Sequence, residues 1–229
     1  MADFLFNIND GFADALLRGY RSTFLRDDEF HHLKQCKSVE DVRLNLQETD
    51  YGDFLQEESV VSAKAVKYRG TEKWVKQFQF LRAQAAQPMA QFLDFITYEY
   101  MIGNIMTLLK ATMDSEERVD PEKLLDQCHP LGMFNHSTMK SILAFENSPQ
   151  GYADLYATVL VDTPVGKYFS QYIKDQLQRD VVGGADEVRS ILAEVPMFAL
   201  ENTLYKIYLE DFYRFCLSLG GETAEVSAQ

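Results

Sequence analysis

The sequence has few cysteines, few basic residues and no long apolar run. Its 229 residues contain three cysteines, and 22 lysines and arginines stand against 35 aspartates and glutamates, for a formal net charge of −13. Three widely spaced cysteines without a CxxC pair argue against a disulfide framework and fit a reducing compartment. The acidic balance argues against nucleic acid as a partner, because phosphates require a concentrated basic surface, and it disfavours direct adhesion to anionic lipid.

Signals for membrane insertion and secretion are also missing. No apolar run approaches the roughly 18 residues needed to span a bilayer. The longest candidate, around Tyr100 to Leu109, is interrupted by Gly103 and Asn104. The N-terminus has neither the basic region nor the apolar region of a secretory signal. We therefore expect a cytosolic protein that is held at any membrane by protein partners.

The motifs of nucleotide and hydrolytic chemistry are absent as well. The sequence has no GxxxxGK[ST] or GxGxxG phosphate loop, no GxSxG elbow and no HExxH pair. His32 and Cys36 are four residues apart and Cys128 adjoins His129, but structural zinc usually needs four closely spaced ligands. We predict that these residues form no metal site and that no cofactor is bound. His129 is a candidate general base, without an identifiable nucleophile or acid partner.

Helix signals and aromatic residues are abundant. The chain contains 16 Phe and 12 Tyr against one Trp, and apolar-polar alternation never persists long enough to suggest a sheet. The predicted fold class is all-α. Ser38 and Asp41 resemble a capping box, and Asp50-Tyr51-Gly52 reads as a turn.

A long helix predicted to be buried follows Pro88, which must break whatever helix precedes it. Residues 89 to 113 are apolar on nearly every side, and helices of that kind are buried. We expect this helix at the centre of the fold. Asp94 within it then needs hydrogen-bonding or cationic partners, because an unpaired buried carboxylate would protonate instead. The charged segment 114 to 120 predicts a boundary between two helical units, 1–114 and 115–229.

Proline and glycine punctuate the second half of the chain. Asp162-Thr163-Pro164 superficially resembles an aspartic-protease signature, but we interpret Thr163 as a helix N-cap with Pro164 at the first helical position. The last helix is predicted from about Pro196 to Leu219, ended by Gly220-Gly221. One face of it carries Tyr205, Leu209, Phe212, Cys216 and Leu219.

A faint internal repeat links the two halves of the chain. Asp41-Val42 with Leu46, Thr49, Gly52 and Phe54 is echoed by Asp154-Leu155 with Val159, Thr163, Gly166 and Tyr168, if one inserted residue is allowed. Each copy reads as helix, turn, helix. The repeat predicts a quasi-symmetric helical stack.

Five stretches carry distinctive combinations of aromatic, acidic and turn-forming residues. They are Asp50-Tyr51-Gly52; Phe92, Asp94, Phe95 and Tyr98; Cys128-His129-Pro130; Asp162-Thr163-Pro164; and Asn202 with Tyr205. In this order along the chain they resemble motifs of the d subunit family of V-type proton ATPases, relatives of the archaeal-type ATPase C subunit. The sequence leaves open whether each motif residue is structural or lies at an interface.

The resemblance implies a non-catalytic coupling subunit. Its fold would be a funnel of related helical units around a pseudo-threefold axis, of which this chain covers about two of three. The family's funnel sits on the proteolipid c-ring, receives the central-stalk subunits D and F, contacts other V0 subunits and transmits torque for proton transport. The implied location is peripheral, on the cytosolic face of vacuolar, endosomal or other acidic-organelle membranes. Family members continue beyond Gly220-Gly221 into a further helical unit, whereas this chain stops at Gln229.

Two alternatives remain open from the residues alone. Aromatic side chains such as Tyr98 and Tyr100 could line the pocket of a helical enzyme or hydrophobic-ligand carrier, although an aromatic stripe at helical spacing is usually core. The chain could also be a free regulatory adaptor. Co-purification with an ATPase complex, without turnover by the chain alone, would favour the coupling subunit over both.

Overall fold

The computed structural model describes residues 11–53, 55–56, 58, 60–114, 121–143, 158–159, 162–177 and 196–229. These residues form helices and turns, and no strand occurs among them. The predicted all-α fold class is therefore confirmed for this part of the chain. The funnel with a pseudo-threefold axis stays a prediction.

The helices are numbered here in chain order. The first five are α1 Gly11–Ser22, α2 Asp27–Gln35, α3 Val39–Leu46, α4 Ala63–Gln84 and α5 Met89–Asp114. The later ones are α6 Pro121–Leu125, a 3₁₀ helix Pro130–Gly132, α7 His136–Leu143, α8 Gly166–Leu177, α9 Met197–Leu219 and α10 Gly221–Ser227. None of the described helices is long and apolar enough to cross a bilayer.

The chain divides into two compact units, 1–90 and 91–229. The first contains α1 to α4, and the second contains nearly all of α5 and the helices that follow it. The division falls in the first turn of α5 because the apolar residues of this helix pack with those of α8 and α9 in one core. The division into two helical units, 1–114 and 115–229, which was predicted from the sequence, stays a prediction.

Side-chain caps begin two helices of the first unit. The Ser38 hydroxyl accepts a hydrogen bond from the Asp41 N–H at 3.1 Å, and the Asp41 carboxylate accepts one from the Ser38 N–H at 3.0 Å. This reciprocal pair confirms the predicted capping box. Ser62 begins α4 in a similar way, with its hydroxyl accepting from the Ala65 N–H at 3.1 Å.

Helix α5 is the centre of the second unit, as predicted from its composition. Four of its side chains, Ile102, Ile105, Met106 and Leu108, are fully buried. Burial of a large aliphatic side chain stabilises a fold by about 1.5–3 kcal/mol relative to exposure. Asp94 is an exception to the prediction: this residue is only half-buried, although Leu93 and Phe95 beside it are buried, because successive residues of a helix point in different directions.

Helix α9 ends as predicted, and the face that it buries coincides only in part with the predicted one: Cys216 is buried, and Tyr205 and Phe212 pack against the core. Gly220, with φ of 70°, follows the last residue of the helix, in a backbone region that strains residues with a Cβ. The predicted apolar face is wrong at Leu209, which is 56% exposed. The buried residues of α9 recur at i, i+4 or i+8 spacing and are Leu200, Leu204, Tyr208 and Cys216. An apolar helix with several candidate stripes does not reveal which stripe its neighbours cover.

Candidate functional site

The first motif forms a hydrogen-bonded turn after α3. The Thr49 hydroxyl donates to the Leu46 carbonyl at 2.7 Å, and the Thr49 carbonyl accepts from the Gly52 N–H at 3.0 Å. A Cβ on Gly52 would lie 2.8 Å from the Gln47 carbonyl oxygen. The turn therefore requires glycine for the close approach of two backbone segments.

The same turn is attached to α4 by Lys73. The Lys73 ammonium donates to the Asp50 carbonyl and lies 4.9 Å from the centroid of the Tyr51 ring. A cation over an aromatic face contributes about 0.5–1 kcal/mol at exposed sites. Asp50 thus acts in this joint through its backbone, while its side chain is on the exposed surface.

The fourth motif forms an equivalent turn in the second unit. The Thr163 hydroxyl donates to the Val159 carbonyl at 2.5 Å, and the Thr163 carbonyl accepts from the Gly166 N–H at 3.2 Å. The predicted N-cap role of Thr163 is wrong, because its hydroxyl bonds backwards to a carbonyl four residues earlier. Helix α8 begins at Gly166, so Pro164 lies in the turn and is not the first helical residue, while Asp162 is exposed.

The two turns occupy matching positions of the internal repeat. Leu46 and Val159, the acceptors of the threonine hydroxyls, are 5% and 3% exposed. In both copies a threonine closes the preceding helical turn, and a glycine three residues later donates back to it. Phe54, Asp154 and Leu155, which also belong to the proposed repeat, lie outside the described residues.

The aromatic residues of the second motif join α5 to α9. Phe95 stacks on Phe212 at a centroid distance of 5.1 Å and on Phe215 at 4.9 Å. Phe92 contacts Phe212 at 5.3 Å, and Tyr98 contacts Phe95 at 5.4 Å. Each such pair adds about 0.5–1.5 kcal/mol beyond the burial of its area. These rings therefore fill space between the two helices.

Helix α8 is joined to the same cluster by Lys167. Its ammonium lies 5.2 Å from the centroid of Phe95 and 4.9 Å from that of Tyr168, and it forms an ion pair with Asp211 of α9 at 2.6 Å. The Tyr168 hydroxyl donates to the same Asp211 carboxylate at 3.0 Å. Burial, and then the Asp211 charge, raise the pKa of Tyr168, so its phenol stays a neutral donor.

Tyrosine hydroxyls of α9 also reach the backbone of α5. Tyr208 donates to the Phe95 carbonyl at 3.0 Å, and Tyr205 donates to the Glu99 carbonyl at 3.4 Å. Burial raises the pKa of both phenols. Asn202, the other residue of the fifth motif, is exposed on α9. This motif therefore places one residue in a helix joint and one on the surface.

The third motif lies against α5, and residues 128–132 are called the strap here. Asn104 of α5 is 3% exposed; its amide donates to the His129 carbonyl at 2.9 Å and accepts from the His129 N–H at 2.7 Å. The His129 ring stacks on Tyr100 at a centroid distance of 4.1 Å. At Gly132 a Cβ would lie 2.7 Å from the Met101 nitrogen and closer still to the Tyr100 carbonyl group. The strap and helix are therefore in direct backbone contact.

The two titratable side chains of the strap, Cys128 and His129, are both shifted towards their neutral forms. Burial raises the pKa of the Cys128 thiol to about 11, and the thiol faces the Leu124 carbonyl at 3.6 Å. Burial lowers the pKa of His129, whose Nδ1 accepts from the Leu131 N–H at 3.2 Å. Pro130 begins the 3₁₀ helix. A protonated thiol and an imidazole engaged with the backbone make a structural joint and do not make a nucleophile and its base.

The other candidate metal ligands, His32 and Cys36, contact neighbouring residues of the chain. The Cys36 thiol lies 3.5 Å from the His32 carbonyl and 3.4 Å from the Asn45 amide. Within the described ranges, no group of three or more His, Cys, Asp or Glu side chains is placed to hold a metal ion. The absence of a metal site stays a prediction for the chain as a whole.

Several residues of these joints were not singled out by their sequence patterns. Lys167 and Asp211 are 44 residues apart, and nothing local relates them. Asn104 has a usable signal, because an amide inside an otherwise apolar helix must find hydrogen-bond partners. The backbone approach at Gly132 had no signal beyond the glycine itself.

The described residues define an all-helical protein whose distinctive side chains join helices. The chain belongs to the ATP synthase (C/AC39) subunit family, whose model matches residues 13–228. This membership confirms the resemblance found in the sequence motifs.

Relatives in several organisms match nearly the whole chain. A protein of Oryza sativa subsp. japonica named "Probable V-type proton ATPase subunit d" is 38% identical over 222 residues, which cover 96% of this chain and 57% of that protein. The V-type proton ATPase subunit d of Dictyostelium discoideum is 38% identical over 221 residues, or 96% of this chain and 56% of the relative. The Saccharomyces cerevisiae protein of the same name is 35% identical over 213 residues, covering 92% and 55%. The chain thus spans little more than half the length of these relatives.

Proposed function

We propose that this chain is a non-catalytic coupling subunit of a V-type proton-pumping ATPase. In this role it links the proteolipid c-ring to central-stalk subunits D and F, contacts other V0 subunits and transmits torque. Its place is peripheral, on the cytosolic face of vacuolar, endosomal or other acidic-organelle membranes. One observation carries the proposal: each motif that supports the family resemblance contributes at least one residue to a turn or a contact between helices.

Stiffness is the physical property that these joints supply. A part that transmits torque must resist deformation, and close-packed interiors have low compressibility. In the second unit, α5 is joined to α9 by stacked rings, to α8 and α9 through Lys167 and Asp211, and to the strap through Asn104. A further ion pair joins Lys110 of α5 to Glu201 of α9 at 2.6 Å. These contacts support rigid-body behaviour of this unit.

A hydrophobic-ligand carrier gains no support from the described residues. The aromatic rings that could have lined a pocket contact one another, as Phe95 does with Phe212 at 5.1 Å. An open groove between α8 and α9 is lined mostly by polar and charged side chains, among them Gln171, Asp175 and Arg214. Such a lining suits an apolar ligand poorly.

Complementation tests the proposal. The full chain, carrying an affinity tag, is expressed in cells that lack their own subunit d, and its association with V0, the ATP-driven acidification of isolated vesicles and its turnover when purified alone are measured. We expect association and recovered acidification without turnover. The Gly19→Ala variant is a control for the effect of a substitution as such and should behave as the wild-type chain, because a Cβ at this position meets nothing within 4 Å. Substrate turnover by the isolated chain, or failure to associate with V0, would contradict the proposal.

Attachment to the membrane is tested separately by flotation. The net charge of −13 predicts repulsion from anionic lipid, so protein partners must hold the chain in place. The chain is floated with protein-free anionic liposomes and with vesicles that contain the proteolipid ring. Binding only to the second supports attachment through the ring, and binding to bare liposomes refutes it.

A further inference from the structure

His129 is a titratable residue on the strap that the coupling role leaves unused. His129 is half-buried, and its backbone N–H and carbonyl both form hydrogen bonds with the Asn104 side chain. Its Nδ1 accepts a hydrogen bond from the Leu131 N–H, so the proton of the neutral ring is on Nε2. The ring can therefore accept this hydrogen bond only when Nδ1 is unprotonated.

We propose that His129 makes the strap an acid-sensitive latch, closed by the neutral imidazole and opened by protonation at Nδ1. A protonated Nδ1 is a donor, and it would face the Leu131 N–H, which is also a donor. The 3.2 Å contact between these nitrogens then changes from a hydrogen bond into a repulsion. Relief requires rotation of the ring away from Leu131, and this movement also removes the ring from its stack on Tyr100.

The two side chains of α5 that the structure places against His129 are uncharged. Tyr100 faces it from α5, and burial, followed by the charge of Glu99, raises the pKa of this phenol, which keeps it neutral. Asn104, also of α5, is uncharged and already bonded to the backbone of the strap. On the segment that carries His129, the Cys128 thiol is protonated and Asp126 lies three residues earlier. Burial is the cause of the lowered pKa of His129.

The direction of the pH effect follows from proton linkage. The closed latch holds the neutral ring and resists protonation, whereas an opened strap exposes the ring at its ordinary pKa of about 6.5. Opening therefore takes up one proton below that pH and none above it. The ratio of closed to open strap then falls by up to about tenfold for each pH unit below about 6.5, until the closed form is itself protonated. Above about 7.5 the ratio is constant.

The latch does not depend on the proposed function. Its effect on coupling does depend on that function. If the chain is a coupling subunit, acidification on the side where the strap lies would loosen one joint of α5 without any ligand. The joint affected is the one between the strap and Asn104 of α5.

Hydrogen exchange of the full chain tests the latch. Exchange of the strap amides is measured at pH 7.5 and 5.5, corrected for the intrinsic pH dependence of exchange, with peptides of α9 as the internal reference. In His129→Asn the side-chain oxygen accepts from the N–H two residues later, as asparagine does in turns, but does not titrate. His129→Ala removes the acceptor, and His32→Asn is the control for loss of a histidine elsewhere.

The expected results distinguish the variants. In the wild-type chain and in His32→Asn, strap exchange accelerates up to about tenfold at pH 5.5 relative to the reference peptides. His129→Asn is protected equally at both pH values, and His129→Ala exchanges rapidly at both. Should the alanine variant not fold, ¹⁵N shifts of the wild-type imidazole decide, since the latch requires an unprotonated Nδ1 at pH 7.5. A protonated Nδ1 at pH 7.5, or the same pH dependence in wild type and His129→Asn, overturns the proposal.

Discussion

Substitution of Gly132 by alanine tests the direct contact between the strap and α5. The added Cβ would lie 2.7 Å from the Met101 nitrogen and closer still to the carbonyl carbon and oxygen of Tyr100. Carbon atoms in favourable contact are about 3.5–4.0 Å apart. The obstructing atoms belong to the backbone of a buried helix, so they cannot rotate away as a flexible side chain would. Either the strap or the helix must move by about an ångström.

The expected cost follows from that displacement. Overpacking in a dense core costs about 1–3 kcal/mol. Movement of the strap also weakens the two hydrogen bonds between Asn104 and His129, now 2.9 and 2.7 Å long, each with a net contribution of about 0.5–1.5 kcal/mol. Gly132→Ala should therefore lower the free energy of unfolding by about 2–5 kcal/mol, a large part of the usual 5–15 kcal/mol.

The assay is urea unfolding followed by far-UV circular dichroism, with hydrogen exchange of strap peptides to locate the change. Gly19→Ala is the control: it lies inside α1 with nothing within 4 Å of an added Cβ. Alanine in the middle of a helix is favoured over glycine by about 0.5–1 kcal/mol, so this variant should be slightly more stable than wild type. An unchanged transition in Gly132→Ala, or an equal loss in Gly19→Ala, would refute the reasoning.

Three further predictions concern single side chains. Asn104→Leu should lower the free energy of unfolding by about 2–5 kcal/mol, because the N–H and carbonyl of His129 lose their partner, and equal midpoints in urea would contradict this. In the native chain at pH 8, a thiol reagent should react quickly with half-exposed Cys36 and slowly with Cys128, whose burial raises its pKa to about 11; fast labelling of both is the contrary result. Asp94→Leu should impair assembly with V0 before it affects proton transport, since we assign Asp94 a structural role; normal assembly with lost transport would show that assignment to be wrong.

Local features of the fold were predictable because neighbouring residues in the chain produce them. The Ser38 and Asp41 capping box and the end of α9 at Gly220 both depend on residues within one helical turn. The central position of α5 was also predictable, since a helix that is apolar on nearly every side has to be buried. The role of Thr163 was not, because a hydroxyl beside a helix end can bond forwards or backwards with similar ease.

The sequence by itself therefore determined the fold class, some of the helix ends and the family, because composition, caps and motif order are properties of the chain alone. Only the tertiary structure decided which face of α9 is buried, that Lys167 pairs with Asp211, and that Gly132 touches the backbone of α5. These contacts join residues that are distant in sequence, and an apolar helix offers several faces of similar hydrophobicity. The choice among those faces is made by the packing of all the helices together.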